Sequence, residues 1–297
     1  VDSRAQFART ACDLVQQDPT VALVYAEISG QLFGDVERSH PERVVNVGIR
    51  EQLLVNVAAG TALVGLRPIL HTFGSFLVER AFEQIKLGLC HQGVGGVLVG
   101  SAGSFDIAGG GRTHQSPGDV ALLDTLPGIA IHAPGNAREV DAALRETVAG
   151  DGLHYVRVVD QSNSVTYPFA PGRLHVVRRG AGATVVAFGP VLDDVLAATE
   201  GRDVTVLYTS TVRPFDPAGL RAMLSGPEVV LVEPWLAGTS SRVIADALVD
   251  VPHRLLALGV GRRDLRAYGS PQDHIRAHGL DPGGIRRSLD GFLALAP

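Results

Sequence analysis

The stretch VVNVGIREQL (44–53) sets an acid where an apolar run stops. Val44, Val45 and Val47 read as a buried strand, Gly48 ends it, and Arg50 and Glu51 stand where a helix-like stretch begins. Acidic residues favour the first turn of a helix, where the backbone dipole is positive, so Glu51 has a plain structural reading. Its chemical reading is a partly buried carboxylate at a strand's carboxyl end, where open α/β sheets collect ligands. HTFGSF (71–76) is a second such place, with Phe73 and Phe76 three apart between a strand and a helix. They serve either as core packing or as an aromatic platform under a flat heterocycle. GSAGSFDIAGGGRTHQSPGD (100–119) is a third. A loop so rich in Gly and Ser offers backbone amides to a ligand. His114 follows it, flanked by Arg112 and Gln115, and a His so placed can move a proton.

Other chemistries lack their motifs. There is no GxxxxGK[ST] phosphate loop, no GxGxxG after the first strand and no GxSxG nucleophile elbow. The histidines make no HExxH or other ligand spacing, so no protein-only metal site is expected.

The surrounding elements read as alternating strands and helices. Phe7, Ala8, Ala11 and Leu14 fall at helical spacing, with Ser3 as the N-cap. Strands are predicted at 21–28, 43–49, 67–73, 95–101 and 153–159, and helices at 51–66 and 76–90, with another capped by Asn136. That alternation predicts a parallel, doubly wound sheet over 1–165. The Pro- and Gly-broken stretch 166–182 reads as a linker. A second α/β unit over 183–297 follows, with strands at 183–189, 204–212, 228–234 and 253–260.

The chain has 297 residues, 45% of them hydrophobic and 19% charged, with no 18-residue apolar stretch. A net charge of −5 gives no electrostatic reason to expect nucleic acid or an anionic membrane. Cys12 and Cys90 form neither a framework nor a CxxC, so a reducing cytoplasm is the expected location.

Taken together, GIREQ (48–52), TFGSF (72–76) and GGGRTHQ (109–115) resemble, in order and spacing, thiamine diphosphate enzymes of the transketolase type. TSTVRPFDPAGL (209–220), VVLVEPWLAGTSSRVIADAL (229–248) and YGSPQDHIRAHGLDPGGI (268–285) resemble that family's C-terminal segments, so the likeness spans essentially the whole chain. It implies a pyrimidine-binding thiamine diphosphate fold followed by a transketolase C-terminal-like domain. The G-D-G…N motif with which the family holds diphosphate and Mg²⁺ is absent. The chain therefore resembles the C-terminal subunit of a split transketolase. The resemblance implies an N-terminal transketolase-like partner that mainly holds diphosphate and Mg²⁺, an α2β2 heterotetramer, and a small sugar-type substrate.

The same resemblance gives the residues their roles. Glu51 matches the Glu that hydrogen-bonds N1′ of the cofactor's aminopyrimidine. Phe76 matches the stacking Phe with Phe73 as an apolar wall, and His114 matches the His near the reacting carbon. The departures concern the substrate. Gly110 stands where the family has Asp, and Ala102 where transketolases have His. Arg157 lies near the place of the sugar-phosphate arginine, but Asp160 occupies one alignment of it, with Arg112 as a substitute. The expected activity is two-carbon ketol transfer between specialised partners. Beta subunits of 2-oxoacid dehydrogenases share the layout, but the THQ motif and the C-terminal ending argue against that alternative. Joint retention of Glu51, Phe76 and His114 argues against a non-catalytic scaffold.

Overall fold

In the computed structural model, which describes residues 2–295, twelve strands alternate with helices. They are β1 (Val21–Tyr25), β2 (Val44–Asn46), β3 (Arg67–Phe73), β4 (Gly96–Ser101), β5 (Ile129–His132), β6 (Leu153–Val158), β7 (His175–Arg178), β8 (Thr184–Phe188), β9 (Thr205–Thr209), β10 (Thr211–Arg213), β11 (Glu228–Leu236) and β12 (Arg254–Val260). The first sheet has seven strands in the order β10-β5-β6-β4-β3-β1-β2, and the second has five in the order β12-β11-β8-β9-β7. All pairings are parallel except those of the edge strands β10 and β7. The fold is thus α/β with two doubly wound sheets.

The central strands β1, β3 and β4 are buried along most of their length, as parallel strands covered on both faces must be. Successive residues point to opposite faces: Leu23, Ile69 and Val97 enter one apolar cluster, and Val24, Leu70 and Leu98 the other. The first cluster is closed by Phe7, Ala11 and Val15 of helix Ser3–Gln17 and by Val140 and Leu144 of helix Ala137–Ala149. The second is closed by Leu54, Val55 and Ala58 of helix Glu51–Leu63 and by the helical stretch 75–91. It runs on into Val186, Phe188 and Trp235, so the two sheets share one core.

Several expectations change. Asp2, not Ser3, caps the first helix, its carboxylate accepting from Ala5 N at 2.7 Å. A helix over Gly30–Ser39 lies where none was read. The 166–182 segment carries β7, which pairs antiparallel with β9 at the sheet edge. The predicted strand 204–212 divides at Ser210, so that β9 stays in the second sheet and β10 crosses to the first. There Ala133 N donates to Ser210 O at 2.7 Å. The predicted helix 76–90 bends at Ala81 between two wide π-type pieces, Ser75–Arg80 and Ile85–His91, the second entered through the short helix Phe82–Gln84.

Candidate active site at the strand carboxyl ends

The chain runs from β1 to β2 on one side and then to β3 on the other, so strand order reverses beside β1. In open α/β sheets ligands collect at such a reversal, outside the carboxyl ends. The loops after β2, β3 and β4 lie at that end and carry the three segments singled out above.

Gly48, with φ +66°, turns the chain out of β2 and lets Glu51 begin the next helix. Glu51 is only 1% exposed. Its Oε2 accepts from Arg80 Nη1 at 2.7 Å, and Arg80 itself is well exposed. The Arg80 guanidinium also lies over the Phe76 ring, 4.1 Å from the centroid. Phe76 and Arg80 are four apart on the same helical stretch, which puts them on one face. Wide π-type turns recur at functional sites, and this one sets Arg80 between Glu51 and the Phe76 ring.

Phe73 ends β3, its ring centroid 6.1 Å from that of Phe76. The His114 ring stands edge-on to both, at 5.1 Å from Phe76 and 6.3 Å from Phe73. Its Nδ1 is 2.9 Å from Thr113 Oγ1. A Cβ at Gly110 would come within 2.8 Å of the His114 ring, so a glycine there is what lets His114 take this place. The structure therefore gathers Glu51, Phe73, Phe76 and His114 from three separate loops. The cluster offers a buried carboxylate, an aromatic surface and an imidazole.

The loop holding His114 is pinned at its base. Ser104 and Ser116 exchange backbone hydrogen bonds of 3.1 and 2.9 Å. Beneath them lies Arg157, 1% exposed. Its Nε donates to Asp119 Oδ2 at 2.8 Å, and its Nη2 donates to Ser104 Oγ at 2.6 Å. Tyr155 donates to the same Asp119 oxygen at 2.8 Å. Burial alone would lower the Arg157 guanidinium, but Asp119 and then Tyr155 outweigh it and hold it charged. Burial, and then the Asp119 carboxylate, push the Tyr155 phenol well up, so it stays a donor. A Cβ at Gly103 would meet the Arg157 guanidinium at 2.5 Å, which requires glycine where the loop crosses it. Arg157 is thus an interior residue supporting the loop and does not face the cleft as a substrate contact.

Arg112 and Gln115 also turn away from the aromatic cluster. Gln115 is buried and donates to Ala267 O at 3.3 Å, and Arg112 donates to Gln115 O at 3.4 Å. Arg80 and Asp119 escaped the sequence reading. The spacing of Arg80 from Phe76 was a usable signal, whereas Asp119 lies 38 residues from Arg157 with nothing local to join them. Among the described residues no group of three or more His, Cys, Asp or Glu could hold a metal ion. No helix there is long and apolar enough to cross a membrane.

Residues 1–163 match the family described as transketolase, pyrimidine binding domain. The chain belongs to the transketolase family. Proteins of this family use thiamine diphosphate. The chain is 43% identical to an uncharacterized 33.6 kDa protein in the fasciation locus of Rhodococcoides fascians, over 98% of this chain and 95% of that one. It is 32% identical to a 1-deoxy-D-xylulose-5-phosphate synthase of Alkalilimnicola ehrlichii, over 98% of this chain and 48% of the relative. The chain thus spans about half the length of that synthase. A solved structure described as a split gene transketolase, inactive beta4 tetramer, superposes over 100% of both chains with a TM-score of 0.87 and 26% identity.

Proposed function

We propose that this transketolase-family chain is the C-terminal subunit of a split enzyme that moves a two-carbon ketol unit from a ketose-type donor to an aldehyde acceptor. The observation that carries the reading is Glu51, buried yet linked through Arg80 to the open Phe76 face. The residues present fit the pyrimidine half of thiamine diphosphate. The Arg80 guanidinium is itself a flat, N–H-bearing group, bonded to Glu51 and stacked on Phe76. A pyrimidine bonded to the same carboxylate and stacked on the same ring makes the same demands.

When bound, the cofactor supplies the electron sink that cleavage beside a carbonyl needs. The chain's own residues then divide the remaining work. Glu51 holds and returns a proton at the aminopyrimidine ring nitrogen. Phe76 and Phe73 orient the ring and keep water from it, and His114 moves a proton at a substrate oxygen. The reading assigns the diphosphate and Mg²⁺ to the partner's N-terminal domain. Beside Glu51, Ile49 is 70% exposed, and Val64 at the far end of the same helix is 78% exposed, with Leu53, Leu63 and Leu87 also open. Exposed apolar residues from the site to the far end of this helix suit a partner subunit, and α2β2 is the symmetric assembly the reading takes.

The substrate class follows from two acids. Asp106 accepts from Asp160 N at 2.9 Å, and both line a small cavity with Arg4, Ser101 and Ala102. Burial and the Asp160 charge push the Asp106 carboxyl up to about 7. The reading seats the far end of the substrate in this cavity, where Asp106 and Asp160 against the single cation Arg4 disfavour a phosphorylated end.

The test is co-purification with the N-terminal chain, followed by donor screening. A two-chain assembly carrying stoichiometric thiamine diphosphate and transferring a ketol unit is the expected result. Release of CO₂ from a 2-oxoacid without ketol transfer moves the chain to the dehydrogenase reading. A lone assembly with neither cofactor nor activity moves it to a scaffold.

Arg80 supplies a separate prediction. It must release Glu51 before a ring can stack on its side of Phe76. A half-exposed ion pair is worth up to about 1 kcal/mol, so Arg80→Ala is expected to speed cofactor association about fivefold. Stopped-flow mixing of the assembled complex with thiamine diphosphate measures this. Slower or unchanged association shows that Arg80 is no placeholder.

A further inference from the structure

Behind the loop that carries His114 lies a second cavity, of about 270 Å³. Glu51, Phe73 and Phe76 do not line it. Its walls come from the His114 loop (Phe105, Arg112, Gln115) and from the C-terminal segment that follows β12. That segment and the helix after it bring Arg262, Arg263, His274 and His278 to the same space, against one acid, Asp264. Three guanidinium groups and two imidazoles around one small space make a strongly cationic wall. The Asp264 carboxylate is partly used by the Arg266 backbone N–H, which donates to it at 2.9 Å.

The imidazoles are held in order. His274 and His278 both lie parallel to the Phe105 ring, at 4.5 and 5.4 Å between centroids. His274 is 2% exposed, and its Nε2 donates to Tyr268 O at 2.6 Å, since a carbonyl oxygen only accepts. Its Nδ1 is buried without a partner. A buried polar atom left unpaired is costly, and native proteins rarely leave one so. His278 Nδ1 accepts from Gly261 N at 3.1 Å. Burial, and to a lesser extent Arg263 and His274, hold the His278 imidazole below its usual range.

We infer that this cavity is a binding site for a phosphate-like dianion, taken either as the free ion or as the phosphate end of a small phosphomonoester. A phosphoryl group accepts from several guanidinium donors at once, which a single carboxylate does less well. As the free ion, the dianion hydrogen phosphate also carries an O–H that can donate to the His274 Nδ1 lone pair, whereas an ester dianion is held by the guanidinium donors. The cavity volume suits an inorganic phosphate or an ester of a few carbons. Because Arg112 and Gln115 flank His114 in sequence, the occupant touches the same loop that shapes the candidate active site. The site is therefore placed to tune that loop, and its existence does not depend on the ketol-transfer reading.

The test is isothermal titration of the full chain with inorganic phosphate at constant ionic strength, chloride being exchanged for it. Saturable binding is expected, and Arg262→Ala should weaken it about tenfold, the size of one charge-assisted hydrogen bond. Arg262 is exposed, so its truncation leaves the core intact. Arg242→Ala removes the same charge from an exposed helix elsewhere and should leave the affinity unchanged. His274→Leu should also weaken binding, and Arg262→Ala carries the test if that variant misfolds. Glycerol 3-phosphate binding tighter than phosphate identifies a phosphomonoester as the occupant, and equal or weaker binding identifies the free ion. Absence of phosphate binding beyond the chloride background overturns the proposal. So does binding that Arg262→Ala and Arg242→Ala leave equally intact.

Discussion

Turnover of the reconstituted two-chain complex is expected to fall about 10²- to 10⁴-fold on Glu51→Gln, the usual range for losing a general acid–base group. Gln keeps the shape and one hydrogen bond but cannot exchange a proton with a ring nitrogen. The fold should scarcely notice. Arg80, released from Glu51, is exposed enough to find water, and losing a first-turn acid costs about 0.3–1 kcal/mol. Activity and stability are therefore predicted to part company at this residue. Steady-state kinetics and a denaturant melt on the same preparation measure both. An unchanged rate in the assembled complex would falsify the acid–base role of Glu51 and return the chain to a scaffold.

Glu51, Phe76 and His114 were legible because each sits in a short local pattern. One follows a β-branched run, one lies on a strand-to-helix loop, and one ends a glycine-rich segment. The alternation of strands and helices was legible for the same reason, since periodicity is a local property. What escaped depends on contacts between distant residues. Nothing within 204–212 marks Ser210 as the point where the chain leaves one sheet for the other, because the β-branched Thr209 and Thr211 on either side of it favour strand as the valines around them do. Helix Gly30–Ser39 is short, has two glycines and no side-chain cap, so local propensity does little to announce it and packing against helix Ser3–Gln17 decides it. Strand β7 is short and flanked by the Pro and Gly that suggested a linker, and pairing with β9 is what makes it a strand. Arg157 was read by alignment as a residue for substrate phosphate. Its burial is set by Asp119 and Ser104, which lie elsewhere in the chain.

That pairing yields the largest stability effect. Asp119→Ala is expected to cost about 3–5 kcal/mol, because it strands a buried guanidinium rather than merely deleting a contact. Net stabilities of domains are about 5–15 kcal/mol, so the single variant should melt early or fail to accumulate. The double variant Asp119→Leu/Arg157→Met should recover most of the loss, since replacing both partners by apolar groups removes the stranded charge. It should not restore the loop. Arg157 Nη2 also donates to Ser104 Oγ, at the closed base of the segment carrying His114. Without that anchor the segment from Ser104 to Ser116 loses its tie to β6 and is held by its backbone pair and by the bonds of Ser104, Asp106 and Gln115 to Pro234, Asp160 and Ala267. Faster hydrogen exchange across 104–116 is therefore expected in a double variant of near-normal melting behaviour. The two measurements separate the jobs of one buried ion pair: global stability follows the charge balance, and loop order follows the donor to Ser104. A cost below about 1 kcal/mol for Asp119→Ala would show that Arg157 is not held as a desolvated charge. The loop's placement would then have to rest on Gly103, Gly110, the Ser104–Ser116 pair and the bonds of Ser104, Asp106 and Gln115 to the chain around them.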